Sequence, residues 1–243
     1  MGVGYVLRAW KRYLSRRNRD SEARAIRRSG GATFGTVHDR NGPCTIRRKA
    51  PVLNGVPGRQ ALMKILGISG SPRKGNTEWM VQRVLEAARN AGAETELILL
   101  RKTDIRLCRG CLSCEVGADR QPGVCVIKDD MEPLLGKMLA ADAFVFGTPV
   151  YFYMLSALLK NLMDRTVPIW PLLKGKRVAG VAVAEDTIGK AIENLRTYAE
   201  VCKLEWVGDV SALAKGPGEL ATNEGIAAEL AGLGKRLAGS LSK

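Results

Sequence analysis

The feature that most constrains this chain is an apolar segment that runs directly into a small polar loop and then into a helical pattern. Residues 65–68 (ILGI) predict a strand, residues 69–77 (SGSPRKGNT) a loop, and apolar residues recur at helical spacing from Met80 to Ala88. Such a unit directs free backbone N–H groups and the positive end of a helix dipole to one point. The loop therefore predicts a site for a phosphate monoester. Its side-chain donors are Ser69, Ser71, Asn76 and Thr77, with Arg73 or Lys74 as the cation.

Other readings of the same loop are less favoured. Residues 70–77 resemble a nucleotide P-loop, but Asn76 stands where the phosphate-binding Lys should be. A nucleophile elbow requires G-x-S-x-G, and residues 67–71 lack the final Gly. An ordinary βα loop without a ligand stays possible, although its polar side chains are denser than a turn requires.

The charge of the chain is unevenly distributed along its 243 residues. The formal net charge is +14, and residues 1–62 carry +11 of it, from 14 Lys and Arg against 3 Asp and Glu. Residues 63–243 carry 24 against 21 and therefore only +3. The basic balance is thus a property of the leading segment. A hydrophobic content of 46% is typical of a globular protein, and no apolar run reaches membrane-spanning length.

Residues 1–62 do not have the pattern of a folded domain, because Arg and Gly dominate and hydrophobic periodicity is poor. They predict a basic, disordered extension. Within it, residues 6–14 could form an amphipathic helix for a lipid surface or a transit peptide, and Arg pairs could contact nucleic acid. The preferred interpretation is that Met63 is the natural start, with neither nucleic acid nor membrane as a partner.

From Met63 onward, strand and helix patterns alternate. Strands are also predicted at residues 94–100, 143–146, 178–184 and 206–210. Helices are predicted at residues 131–140, 154–164, 189–203 and 226–237, with Asp129 and Asp130 as a cap for the first of these and Glu132 complementing its dipole. Five strands alternating with helices predict an α/β domain over residues 63–243, built on a doubly wound parallel sheet. Ligands of such sheets bind beyond the carboxyl ends of the strands, where the loop of residues 69–77 lies.

Three sequence blocks carry a resemblance to a known family. They are GISGSPRKGNTE after the first strand, CVIKDDM, and FGTPVYFYMLSALLKNLMDR. In this order they resemble the flavodoxin-like NAD(P)H-dependent FMN reductases, and the cysteines between the first two blocks are similar to those of the iron–sulfur flavoproteins. The resemblance covers about residues 63–243. It implies a flavodoxin-like sheet of order 2-1-3-4-5 with FMN at its carboxyl edge, and a homodimer or homotetramer.

The resemblance also implies which residues hold FMN. The first loop would bind the phosphate through Ser69, Ser71, Arg73, Asn76 and Thr77. The loop after the third strand would lie against the isoalloxazine ring, with flat side chains packing on a flat ring. Its residues are Pro149, Val150, Tyr151, Phe152 and Tyr153. The three aromatic residues could instead be core or interface side chains. Glu185 begins a third loop, residues 185–189, which has fewer glycines than many relatives have.

Four of the six cysteines fall close together, at Cys108, Cys111, Cys114 and Cys125. The C-x2-C-x2-C run can place three thiolates around one cubane, with Cys125 as the fourth ligand. These residues predict a 4Fe-4S cluster in a loop over residues 104–128, although the final gap is longer than is usual in iron–sulfur flavoproteins. Zinc is the nearest alternative, and a site without metal also stays open, because relatives keep some of these cysteines without a cluster.

The predicted function is an FMN-dependent oxidoreductase that takes a hydride from NAD(P)H and passes electrons between FMN and the cluster. No catalytic side chain is predicted, because hydride transfer to flavin requires orientation more than a protein base. The alternative is an electron carrier reduced by ferredoxin, since no G-x-G-x-x-G motif occurs in the domain. A third class, a nucleic-acid or membrane-associated protein, would act through residues 1–62. The absence of a recognisable signal peptide predicts a cytoplasmic protein.

Overall fold

The computed structural model describes residues 62–114 and 124–239. The predicted basic extension, apart from its last residue, lies outside the described residues, as does the central part of the predicted cysteine loop. The disordered extension and the natural start at Met63 therefore stay predictions. No helix in the described ranges is both long and apolar enough to cross a bilayer.

The described residues form strands and helices in regular alternation. The strands are β1 (Lys64–Ser69), β2 (Glu94–Leu99), β3 (Ala143–Tyr151), β4 (Met154–Leu155), β5 (Arg177–Ala184) and β6 (Glu205–Leu213). The helices are α1 (Asn76–Asn90), α2 (Met131–Ala140), α3 (Ala157–Asp164), α4 (Ala191–Val201) and α5 (Glu224–Ala238). Short 3-10 helices span Leu100–Lys102, Trp170–Leu173 and Glu219–Thr222.

Five of the strands form one parallel sheet in the order β2-β1-β3-β5-β6. Counted without the two-residue β4, this is the order 2-1-3-4-5, which confirms the predicted flavodoxin-like sheet. After β2 the chain returns past β1 to form β3, so the order in which strands are added switches between β1 and β3. The loops that follow these two strands lie side by side at the carboxyl edge. This is the position at which open α/β sheets bind ligands.

The two faces of the sheet are covered by different helices. Val145 of β3 belongs to the same buried cluster as residues of α1 and α5. The alternate residues Phe144 and Phe146 stack on each other, and Phe146 meets Tyr198 of α4 edge to face at 5.8 Å between ring centroids. This two-residue alternation explains the nearly continuous apolar sequence of β3, because a strand covered on both faces needs apolar residues at every position.

Helix α1 lies very close to the sheet because glycines face it. A Cβ at Gly147 of β3 would lie 2.3 Å from Cγ2 of Val81, and a Cβ at Gly67 of β1 would lie 2.6 Å from Cδ1 of Leu85. On the other side of α1, a Cβ at Gly234 of α5 would lie 2.3 Å from the carbonyl oxygen of Val84. Glycine is therefore required at these positions for space.

Two predictions about the third strand were wrong. Residues 149–151 were predicted as a loop, but β3 continues to Tyr151. Residues 154 and 155 were predicted as the start of a helix, but they form β4, which pairs antiparallel with the end of β3. The helix begins only after Ser156, whose hydroxyl accepts a hydrogen bond from the backbone N–H of Leu159. The prediction placed the start of the helix too early because it rested on apolar spacing alone and did not consider Ser156 as an N-cap.

We predict that Gly147→Ala lowers the free energy of unfolding by about 1–3 kcal/mol, because the added methyl group overpacks the contact with Val81. Gly136→Ala is the control, since a Cβ at Gly136 in α2 meets no atom within 4 Å. That substitution should be neutral or stabilising by up to about 1 kcal/mol, because alanine favours a helix. Urea unfolding followed by circular dichroism measures both. Equal effects of the two substitutions would contradict the close approach of α1.

Candidate functional site

The first wall of the candidate site lies where β1 meets α1. Ser69 ends β1 with a fully buried side chain, and its Oγ has no hydrogen-bond partner among the described residues. Helix α1 follows with no side-chain cap at Gly75. The backbone N–H groups of its first turn, which have no partners within a helix, therefore stay available. An uncapped helix N-terminus that follows the loop after β1 is suited to an anion.

The loop between them is ordered by its own side chains. Ser71 donates its hydroxyl to the carbonyl oxygen of Arg73 at 2.7 Å and accepts from the backbone N–H of Arg73 at 3.3 Å. Its donor is thus used inside the loop, and the predicted contact of Ser71 with a phosphate stays a prediction. The Arg73 side chain is exposed at the rim of the cleft, and Thr77 is buried in the first turn of α1.

The Asn76 side chain is hydrogen-bonded to the protein at both ends of its amide, and its predicted contact with a phosphate stays a prediction. Its Nδ2 donates to the carbonyl oxygen of Gly216 at 2.8 Å, and its Oδ1 accepts from the backbone N–H of Leu220 at 3.4 Å. Both ends of the amide therefore contact the segment after β6. The side chain still lines the cleft, but its main effect is to hold residues 216–220 against the start of α1.

These segments enclose a cleft of about 640 Å³, a figure that includes space open to solvent. One wall is the loop after β1, and another is Pro149, Val150 and Tyr151 at the end of β3. Glu185 after β5 and residues 214–217 after β6 complete it. The structure therefore brings most of the predicted site residues together. Sequence reasoning missed Lys215, which also lines the cleft, although the Gly-Pro-Gly sequence at 216–218 could have indicated a loop there.

Phe152 and Tyr153 do not line the cleft but form the turn of the β3–β4 hairpin. Both have positive φ angles, 49° and 65°, as a two-residue hairpin turn requires, although glycine or asparagine is the usual residue there. Phe152 is 95% exposed. The carbonyl oxygen of Tyr153 accepts from the backbone N–H of Lys190 at 2.7 Å, so the turn is held by the segment before α4. Such strain commonly marks a functional segment.

The four clustered cysteines lie in irregular segments between β2 and α2. Cys108 and Cys111 are exposed, and Cys114 and Cys125 are partly buried. Burial raises the pKa of the Cys114 thiol, and the nearby thiols of Cys125, Cys108 and Cys111 raise it further. Cys114 is therefore within electrostatic range of the other three thiols. Within residues 62–114 and 124–239, however, no three side chains of the metal-binding types are close enough to hold a single metal ion.

A buried ion pair lies at the base of these segments, and it was not predicted from the sequence. Arg165, immediately after α3, is 2% exposed, and its Nη1 lies 2.8 Å from Oδ2 of Asp129 while its Nη2 lies 3.0 Å from Oδ1. Burial alone would raise the pKa of Asp129, but hydrogen bonds from Arg165, Arg106 and Met131 hold it below its usual value. The bond to Met131 is the part of the predicted cap that the structure retains.

The fold and the cleft define a flavodoxin-like α/β protein with a candidate anion-binding loop at the switch point of its sheet. Comparison with known proteins gives the family. The sequence profile of a family described as NADPH-dependent FMN reductase matches residues 63–217. An iron-sulfur flavoprotein of Methanocaldococcus jannaschii is 38% identical over 191 residues, which cover 72% of this chain and 96% of that protein.

Two further proteins are similar to this chain, one in sequence and one in fold. An iron-sulfur flavoprotein of Methanosarcina thermophila is 37% identical over 156 residues, covering 61% of this chain and 79% of that protein. The crystal structure of a flavodoxin, WrbA-like protein from Agrobacterium tumefaciens is similar in fold, with a TM-score of 0.52 and 18% identity, over 73% of this chain and 96% of that one. The chain belongs to the NADPH-dependent FMN reductase family, near the iron-sulfur flavoproteins, and is an FMN-dependent oxidoreductase.

We predict that Asn76→Ala lowers the free energy of unfolding by about 1–2 kcal/mol without any cofactor present, because two partly buried backbone groups lose their partner. Asn90→Ala, at the exposed end of the same helix, is the control and should change stability by less than about 0.5 kcal/mol. Chemical unfolding of the cofactor-free protein measures both. An unfolding free energy of Asn76→Ala equal to the control's would mean that the amide does not hold the 216–220 segment.

Proposed function

We propose that the cleft binds FMN with its phosphate at the β1–α1 junction, and that the protein uses it to transfer electrons from NAD(P)H. The observation that carries this proposal is the N-terminus of α1, which has no side-chain cap and whose residues Asn76 and Thr77 line the cleft. The free backbone N–H groups of such a turn and the positive end of the helix dipole attract an anion. The residues present therefore fit a phosphate monoester.

Each residue of the loop has a distinct part in holding the phosphate. The first backbone N–H groups of α1 and the Ser69 hydroxyl would donate to its oxygens, and Arg73 would add positive charge at the rim. Thr77 would add a second short hydroxyl from the first turn. Ser71 and Asn76 act indirectly, since Ser71 shapes the loop and Asn76 holds the segment that carries Lys215.

The remaining walls would hold the flavin ring. Pro149 fixes its backbone at the end of β3, and Val150 and Tyr151 offer apolar surface beside it. Glu185 lines the same cleft just after β5, the strand that pairs with β3. When bound, FMN supplies hydride and single-electron chemistry, and the protein has to orient it and limit the access of water. Phe152 and Tyr153, at the exposed hairpin turn, would cover the flavin from outside the cleft.

We further propose that Cys108, Cys111, Cys114 and Cys125 ligate a 4Fe-4S cluster, which would supply single-electron transfer. The support is chemical, because four thiolates are the usual donor set of such a cluster. The relatives named iron-sulfur flavoprotein give the same indication. A cluster of four irons spaces its thiolates further apart than one metal ion does, and Cys114 lies within electrostatic range of the other three thiols.

We predict that Arg73→Ala weakens FMN binding by about 1.5 kcal/mol, roughly tenfold in Kd, because a charge-assisted contact to phosphate is lost. Lys74→Ala is the matched control, since Lys74 is the neighbouring cation but does not line the cleft. Quenching of flavin fluorescence on titration with apoprotein gives both constants. Riboflavin, which lacks the phosphate, should bind the wild type and Arg73→Ala equally. Equal loss of affinity for riboflavin would contradict a phosphate contact.

The electron donor is tested by anaerobic mixing of the FMN-loaded protein with NADPH, NADH or reduced ferredoxin. We expect rapid bleaching of the flavin absorbance with a nicotinamide, as the family description indicates. Bleaching by reduced ferredoxin alone would support the second candidate, an electron carrier without its own nicotinamide reductase activity. The sequence feature that favours this second candidate is the absence of a G-x-G-x-x-G motif from the domain.

A further inference from the structure

The buried ion pair Arg165–Asp129 joins the two ends of the cysteine-bearing segment. Nη1 of Arg165 donates to the carbonyl oxygen of Arg106 at 2.6 Å, two residues before Cys108. Its partner Asp129 lies four residues after Cys125 and also accepts from the backbone N–H of Arg106 at 2.9 Å. One guanidinium therefore contacts both the entry to and the exit from the segment that carries the four cysteines.

Stability alone does not explain this arrangement. The side chains of Arg165 and Asp129 are 1% and 0% exposed, and desolvating two charges costs about as much as their attraction returns. Well-packed apolar residues of similar volume are often as stable as a buried pair of this kind. A buried ion pair of this kind is best explained by a role in fixing one arrangement of the chain around it. Here the chain around it is the segment that carries the cysteines.

The guanidinium also has hydrogen-bonding capacity to spare. Arginine has five N–H groups, and the bonds to Asp129 and Arg106 use three of them. Nε is buried and has no partner among the described residues. Burial alone would lower the pKa of Arg165, but its hydrogen bond with Asp129 and the nearby thiol of Cys125 raise it. Cys125 is thus the group beside the guanidinium that could accept one of the free donors.

We propose that Arg165 donates a free guanidinium N–H to the Cys125 thiolate and so acts as the positioning residue for the fourth ligand of the 4Fe-4S cluster. This inference rests on the proposed function, because it requires the cluster. A hydrogen bond from a cation stabilises negative charge on the ligand sulfur, and the reduced cluster carries one more negative charge than the oxidised one. Arg165 therefore raises the reduction potential of the cluster.

The test uses two variants and a control, purified anaerobically as full-length protein. Arg165→Lys keeps the positive charge but loses the planar set of donors. The double substitution Asp129→Asn with Arg165→Gln removes both charges together, so neither is left buried and unpaired. Lys160→Met is the control, because Lys160 is on α3 with its ammonium exposed and paired only with Asp164. FMN, iron, sulfide and zinc contents are measured, followed by the cluster's midpoint potential in a mediated dithionite titration with electron paramagnetic resonance.

We expect all variants to retain FMN, because neither Arg165 nor Asp129 lines the cleft. The midpoint potential should shift to a more negative value in Arg165→Lys, and the double variant should lose most of its iron. Lys160→Met should match the wild type in both. An unchanged potential in Arg165→Lys, with full iron content in the double variant, would overturn the proposal.

A measurement on the wild type keeps the proposal testable if the variants fold poorly. In protein labelled with ¹⁵N-arginine, pulsed electron–nuclear double resonance of the reduced cluster should detect a nitrogen hydrogen-bonded to a ligand sulfur. Absence of any arginine nitrogen coupling would overturn the role of Arg165. A wild type that binds FMN but contains no iron or sulfide would remove the cluster and this inference, while the FMN site would stand.

Discussion

The close packing of α1 between the sheet and α5 is the constraint on which the rest of the structure depends. Gly67 and Gly147 remove the side chains that would push α1 away from the sheet, and Gly234 lets α5 approach its backbone. Because α1 is fixed on both sides, its first turn cannot shift along the sheet edge. The N–H groups of that turn are therefore held in place, which would reduce the entropic cost of binding the proposed phosphate.

The other walls of the cleft are positioned by contacts with this fixed helix and loop. The Ser156 hydroxyl donates to the carbonyl oxygen of Gly70 at 2.7 Å, which joins the loop after β1 to the start of α3. Asn76 holds the segment after β6, and the segment before α4 holds the strained β3–β4 turn through Tyr153. A hairpin turn with positive φ at two bulky residues persists only when its surroundings determine it. The surroundings of the cleft are thus held largely by hydrogen bonds between side chains and backbone groups.

Much of the fold could be predicted from sequence, because apolar periodicity reports burial directly. The parallel sheet followed from strands such as residues 178–184, which are apolar at every position. The β3–β4 hairpin could not be predicted, since Phe152 and Tyr153 are not typical turn residues and their φ angles depend on tertiary contacts. The hydrogen bonds made by Asn76 and Arg165 also could not be predicted. Their partners are 140 and 36 residues away, a distance over which local patterns carry no information.

Helix α3 connects the two proposed cofactor sites. Ser156 at its start contacts the loop after β1, and Arg165 just after its end contacts Arg106 and Asp129 beside the cysteines. Eight helical residues rise about 12 Å, so one short rigid element spans the distance between these contacts. A displacement of the loop after β1 is therefore resisted, through the same helix, by the contacts beside the cysteines. For a protein proposed to exchange electrons between FMN and a cluster, this connection would keep the separation of the two groups constant, which is the property that electron transfer requires.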